Sequence, residues 1–385
     1  MIPYGRQLLD DEDIRAVVAV LRSDFLTQGP EVPAFEQALS GHCLGANAVA
    51  VNSATSALHL ACLALGVGVG DIVWTSPNTF VASANCARYC GASIDFVDID
   101  GTSRNMSAEA LARKLEVAAA SGKLPKVVIP VHFAGAPCDM RAIGELSKRY
   151  GFSVIEDASH ALGARYEDSI VGDCRHSDIT VFSFHPVKII TTGEGGAAMT
   201  RSDAHAQRLR VLRTHGITRD RTDLENRTEG PWYYEQQCLG FNYRMTDIQA
   251  ALGRSQLRHL DAWMTRRNAL ADAYDRELSG LPLLLPTRPR NGRSACHLYV
   301  VEVDASRTSR NRREVFEQLR GLGIGVNVHY IPVHLQPDFR RLGFGSGQFP
   351  NSEAYYARCL TLPLFPAMSD EEQSTVVMCV RSLFE

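Results

Sequence analysis

Lys188 lies in the run Phe182-Ser183-Phe184-His185-Pro186-Val187-Lys188, and Thr191-Thr192-Gly193-Glu194-Gly195-Gly196 follows closely. One lysine thus stands just beyond an apolar strand, five positions after a serine (188 − 183 = 5) and ahead of a glycine-rich turn. A lysine in so crowded and apolar a place must be neutralised or have its pKa lowered. A Schiff base to a carbonyl cofactor does this and makes the nitrogen useful. Upstream, Val154-Ile155-Glu156-Asp157-Ala158-Ser159-His160 ends a second apolar strand on an aspartate, where a protonated ring nitrogen can be held.

Pyridoxal phosphate is the cofactor to which both signals point, and it makes four demands. Its aldehyde needs a lysine, for which Lys188 is the candidate; the same amine then serves as proton carrier. Most single lysines at strand ends are plain surface residues, but Ser183, Pro186 and the glycines around Lys188 favour the chemical reading. The ring nitrogen needs an anion, and Asp157 suits it, against the competing reading of a helix cap. The ring face needs a flat cover, and Phe80, in Ser76-Pro77-Asn78-Thr79-Phe80-Val81-Ala82, follows another strand. The phosphate needs backbone donors. Asn52-Ser53-Ala54-Thr55-Ser56-Ala57-Leu58 offers the first-turn amides of Ala54 and Thr55, with Ser183 as a further donor.

The elements that must position these residues are readable as patterns. Residues 48–200 alternate strands (48–51, 72–75, 93–99, 126–132, 153–157, 179–184) with helices (54–65, 79–90, 107–119, 139–150). This predicts an α/β fold with a mostly parallel sheet covered on both faces and ligands at its carboxyl ends. Residues 11–22 read as an amphipathic helix whose apolar face is Ile14, Val17, Val18 and Leu21. A long helical region near 246–279 precedes an exposed loop at 285–292. A strand at 297–303, a helix at 310–322 and a strand at 326–330 then follow. The expected division is a large domain, 1–255, and a smaller C-terminal α/β domain, 256–385.

Composition bounds the rest. With 385 residues, 45% hydrophobic and 22% charged, the chain reads as an ordinary enzyme of two domains. A net charge of −3, with scattered Lys and Arg, argues against a nucleic-acid partner. Neither a signal-peptide pattern nor a membrane-spanning run is evident, so a soluble cytoplasmic protein is expected. The ten cysteines form no C-x-x-C pair and read as core residues. Cys86 and Cys90 have helical spacing, but no accompanying cluster is evident, so no metal is expected there.

With these four elements in this order, the chain resembles the DegT/DnrJ/EryC1/StrS sugar aminotransferases, a family of fold-type-I pyridoxal-phosphate enzymes. The resemblance spans nearly the whole chain. It rests on Ser183…Lys188 with Gly193-Glu194-Gly195-Gly196, on Asp157, on Thr79-Phe80-Val81-Ala82 and on Gly240-Phe241-Asn242-Tyr243-Arg244-Met245-Thr246-Asp247. It implies that Asn242 reaches a neighbouring subunit's phosphate, and hence a homodimer with shared sites. His160 stands where many relatives carry glutamine and would bond the cofactor's 3′ oxygen. Met1-Ile2-Pro3-Tyr4, Asp24-Phe25-Leu26-Thr27-Gln28-Gly29-Pro30 and Val326-Asn327-Val328-His329-Tyr330-Ile331-Pro332-Val333-His334 are similar to the subgroup that serves pseudaminic acid biosynthesis. That subgroup aminates C4 of UDP-4-keto-6-deoxy-N-acetyl-β-L-altrosamine from L-glutamate, which implies Thr27, Gln28 and His329 near the sugar. Other nucleotide-linked 3- or 4-keto sugars are the main alternative. A sugar 3-dehydratase, with histidine in the lysine's place, and a non-catalytic sensor both fit an intact Lys188 and Asp157 less well. Arg213, Arg219 and Arg244 are diphosphate candidates on charge alone.

Overall fold

The computed structural model describes residues 1–289 and 291–384. Its centre is a seven-stranded sheet of β1 (Asn47–Val51), β2 (Ile72–Thr75), β3 (Ser93–Phe96), β4 (Val127–Ile129), β5 (Ser153–Asp157), β6 (Ile179–Ser183) and β7 (Gly196–Thr200). The strand order is β1-β7-β6-β5-β4-β2-β3, and only β7 runs against the rest. β7 is the one strand of this sheet that the alternating pattern did not reveal. It follows the glycine turn directly, so no crossover helix announces it.

Every residue of β6 is buried, as are the last four of β5, because helices cover both faces of the sheet. Helices Ala54–Ala64, Ala82–Tyr89 and Asp203–Leu212 pack on one face, Ala108–Ala120 and Met140–Tyr150 on the other. Their ends are chemically marked. Ser53 and Asp139 cap the starts of two of them, and Gly151, at φ +77°, ends the helix Met140–Tyr150.

The expected helix at 11–22 is present as Asp11–Leu21, and its apolar face is packed only in part, with Val17 and Val18 half-buried. Ile14 and Leu21 are exposed, whereas Asp13 and Val20 are buried against the helix Asp247–Leu257. The buried carboxylate is tolerated because Gln256 and the Asp10 backbone N–H donate to it. The helical region near 246–279 divides into Asp247–Leu257 and Leu260–Glu277. A C-terminal core lies around a small sheet of Leu283–Leu284, Tyr299–Val303 and Cys359–Leu362, with helices Arg312–Gly321 and Asp370–Arg381. Ile2 pairs with Ile324 there, so the first residues of the chain pack with the last third.

The strand expected at 326–330 is not formed. Asn327 makes one isolated bridge to Thr361, and the chain then turns through a cis His329–Tyr330 peptide. Most of the 285–292 stretch is irregular, as expected, and Arg290 within it lies outside the described residues.

One carboxylate organises the approach to the sheet. Asp247 is fully buried and accepts the backbone N–H groups of Gly29, Glu31 and Val32, while its own N–H donates to Leu26 O at 3.0 Å. It therefore fixes the loop 25–30 and the start of the helix Glu31–His42 together. Hydrogen bonds to a charged group contribute about 1.5–3 kcal/mol each. Asp247→Ala is expected to lower the free energy of unfolding by about 3 kcal/mol or more, measured by urea denaturation.

Candidate active site

Parallel pairing sets Asp157 of β5 beside Val181 of β6, so Ser183 and the lysine loop leave the sheet at the same rim as Asp157. Strand alternation sends Asp157 to the cavity side. Glu156 faces the other way, to within 2.7 Å of His132 Nε2. On β6's other flank Ser183 pairs with Gly196 of β7, and Gly196 also pairs with Val51 of β1. This rung brings the start of the helix Ala54–Ala64 beside Ser183. Only glycine fits at 196, since a Cβ there would meet Ala54 N at 2.5 Å and the Ser53 carbonyl carbon at 2.6 Å.

These strand ends open into a cavity of about 550 Å³. Of the residues expected from sequence, Ala54, Thr55, Phe80, Asp157, His160, Ser183, Lys188 and His329 all line it. Asp157 is held on both oxygens: Ser83 Oγ donates to Oδ2 at 2.6 Å, and Ser159 N–H to Oδ1 at 3.1 Å. Ser53 Oγ accepts from Ser56 N–H at 3.1 Å, while the amides of Ala54 and Thr55 have no protein partner among the described residues. Phe80 is 60% exposed and offers a bare ring at the cavity wall.

Lys188 is half-buried and lines this cavity. Burial lowers its pKa to about 8, against the opposing pull of Asp157. The histidines around it are neutralised in turn. Burial, with the charges of Lys188 and His329, holds His160 well below the usual imidazole range. Burial and Lys188 bring His329 down to about 4. His160 Nε2 lies 3.0 Å from the Tyr330 hydroxyl, and its Nδ1 is buried without a partner among the described residues. Free helix-start amides, a glycine cleft, an unpartnered imidazole nitrogen and a poorly solvated amine opposite a carboxylate together fit pyridoxal phosphate.

Asn242, Thr27 and Gln28 do not line the cavity; all three are exposed. Asn242 stands close to the phosphate turn, since Asn52 N–H donates to Tyr243 O at 2.9 Å, and Thr27 and Gln28 belong to the loop 25–30 that hangs from Asp247. Arg213 is committed to Glu36 and the Ala50 carbonyl, which withdraws it as a diphosphate ligand. Arg219 lies over the Tyr234 ring. Sequence reasoning missed His297, which lines the cavity with its ring 4.4 Å from that of His160. It also gave no role to Tyr4 or Tyr330, which line the cavity from distant parts of the chain. Only the Tyr4 and Tyr330 runs carried any signal, through the resemblance.

Residues 7–381 match the model of the DegT/DnrJ/EryC1/StrS aminotransferase family. The chain is 39% identical over 385 residues to the spore coat polysaccharide biosynthesis protein SpsC of Bacillus subtilis, covering 99% of this chain and 97% of SpsC. Among solved structures it is similar to Spr1654 from Streptococcus pneumoniae in its PMP form, with TM-score 0.90 and 30% identity over 100% of this chain and 99% of that one. It is equally similar to Helicobacter pylori PseC, an aminotransferase of pseudoaminic acid biosynthesis, with TM-score 0.90 and 29% identity over 100% and 99% of the two chains.

The lowered pKa has a direct readout in the cofactor-free protein. Below its pKa Lys188 is protonated and unreactive; above it the amine is free. Acetic anhydride labelling across a pH series is expected to reach half its maximal rate at Lys188 near pH 8, with ordinary lysines following about two units higher.

Proposed function

Because the chain belongs to the DegT/DnrJ/EryC1/StrS aminotransferase family and is a pyridoxal-phosphate-dependent sugar aminotransferase, we propose that it carries the amino group of L-glutamate to C4 of UDP-4-keto-6-deoxy-N-acetyl-β-L-altrosamine, a step of pseudaminic acid biosynthesis. The observation that carries this reading is the poorly solvated Lys188 amine facing the Asp157 carboxylate across one cavity. The likeness to Helicobacter pylori PseC supports the choice of sugar.

When bound, pyridoxal phosphate supplies an electrophilic aldehyde and an electron-withdrawing ring. In this reading Asp157, braced by Ser83 and Ser159, holds a proton on the ring nitrogen. The Ala54 and Thr55 amides and the Ser183 hydroxyl receive the phosphate, Phe80 covers the ring, and His160 bonds its 3′ oxygen. Lys188 Nζ takes the proton from Cα of L-glutamate and, in the second half-reaction, delivers one to C4 of the sugar. In the same reading His329, whose Nδ1 lies 2.8 Å from Thr361 Oγ1, meets the sugar.

We read the enzyme as a cytoplasmic homodimer with shared sites. Asn242, beside the phosphate turn, and Thr27 and Gln28, in the loop 25–30, are all exposed, where a second subunit can use them. An exposed apolar strip of Ile14, Leu21, Phe25 and Leu26 lies on the adjoining segment and supports this. The division into 1–255 and 256–385 belongs to the same proposal, with the N-terminal arm packing on the second part. A different nucleotide-linked 3- or 4-keto sugar is the second reading, favoured by the higher identity to SpsC (39%) than to PseC (29%).

The visible absorbance of the cofactor-loaded enzyme is expected to fade with L-glutamate and return with the altrosamine-type ketone. Fading without return leaves an aminotransferase for another sugar. Lys188→Ala is expected to retain cofactor yet lose at least about 10³-fold in turnover. Sustained wild-type turnover by that variant would overturn the role of Lys188. Asp157→Ala is expected to slow both half-reactions by about 10²-fold or more, measured by stopped-flow absorbance with each substrate alone.

A further inference from the structure

His160 follows the end of β5, and Tyr330 meets it from the last third of the chain, 170 positions later. Both line the cavity. The Tyr330 hydroxyl lies 3.0 Å from His160 Nε2, its one hydrogen-bond partner among the described residues. The phenol ring is set by packing, edge-on to Phe133 at 6.2 Å and to His329 at 4.8 Å between centroids. The His160 imidazole is buried, with the rings of His297, Tyr330 and Phe133 around it at 4.4, 6.1 and 6.4 Å. Its Nδ1 has no partner among the described residues.

A neutral imidazole carries one proton, on Nδ1 or on Nε2, and burial together with the charge of Lys188 keeps His160 neutral. With the proton on Nε2, the ring donates to the phenol oxygen. The phenol proton then has no protein acceptor, and Nδ1 is left as a bare lone pair. With the proton on Nδ1, the phenol donates to Nε2, and one N–H remains for a ligand oxygen to satisfy. Burial also raises the phenol's pKa, so Tyr330 keeps the proton that it donates. Two unmatched buried groups cost more than one, which favours the Nδ1–H form.

The geometry points to Tyr330 as a positioning residue whose hydroxyl locks His160 in the Nδ1–H form, so that the imidazole donates to the occupant of the cavity. This inference rests on the reading above, in which that occupant is the cofactor's 3′ oxygen. An ionised oxygen there gains a donor from the locked form, whereas the other tautomer would turn a lone pair toward it. The lock also selects by chemistry. An acceptor oxygen is received at this point, and a group that must itself donate, such as an ammonium, is refused. Sequence could not show it, because neither residue's neighbours say that the two side chains meet.

Nitrogen NMR of the cofactor-free protein, labelled with [15N]histidine, reads the proton directly, since protonated and bare ring nitrogens resonate far apart. The His160 signals are identified by their loss in His160→Gln. Wild type is expected to show Nδ1 protonated and Nε2 bare. Tyr330→Phe, checked for an unchanged melting temperature, is expected to convert half or more of His160 to the Nε2–H form. It should then bind pyridoxal 5′-phosphate about twofold or more weakly, in proportion to the Nδ1–H fraction lost. Nε2 protonated in wild type, or an unchanged tautomer in Tyr330→Phe, overturns the lock. A tautomer that shifts in Tyr330→Phe with no change in cofactor affinity upholds the lock and overturns the 3′ oxygen as its acceptor.

Discussion

The parallel pairing of Ser153–Asp157 with Ile179–Ser183 is the contact on which the site depends. It brings the carboxyl ends of two buried strands to one rim, so that an aspartate ending one and a lysine following the other meet without any long loop. Neither charge is well solvated there. The amine is pushed toward its neutral form, and the carboxylate is kept in place by two donors. The helix-start amides reach the same rim because β7 inserts Gly196 between Val51 and Ser183. Move that rung, and the phosphate end of the site separates from the lysine end.

The same desolvation spreads outward. His160, His297 and His329 all surround Lys188, and all are driven toward neutral imidazole by burial and by its charge. The cavity therefore holds several nitrogen donors and acceptors but little fixed positive charge beyond the lysine. Such a wall suits hydroxyl and carbonyl groups, which need hydrogen bonds more than ion pairs. It accords with a sugar acceptor.

The legible parts of this chain were those in which chemistry and position are local in sequence. Asp157 and Lys188 each follow a short apolar run, and the run itself predicts the strand end. Ala54 and Thr55 were readable because a hydroxyl cluster marks the turn between a strand and a helix. His297 was not, because nothing in its neighbours says that residues 134–135 will turn it against His160. Ile14 and Leu21 were read as part of the apolar face of their helix, but they stay exposed while Asp13, whose Oδ2 accepts from Gln256 and the Asp10 N–H, is buried. Val326–Tyr330 alternates like a strand, yet its backbone is drawn aside where the Tyr355 hydroxyl takes the His329 carbonyl at 2.9 Å.

The helix Leu260–Glu277 has Leu260 and Met264 in the core behind the lysine loop, and Leu270, Ala271 and Tyr274 in the C-terminal core. Its 18 residues make a rod of about 27 Å. A flexible strap between the two cores would let the cavity walls clamp onto whatever enters. A rod sets their spacing in advance, like the fixed jaw of a gauge. Substrates are then sorted by whether they fill a preset width, and changes in sugar preference should come from the side chains on the jaws rather than from their travel.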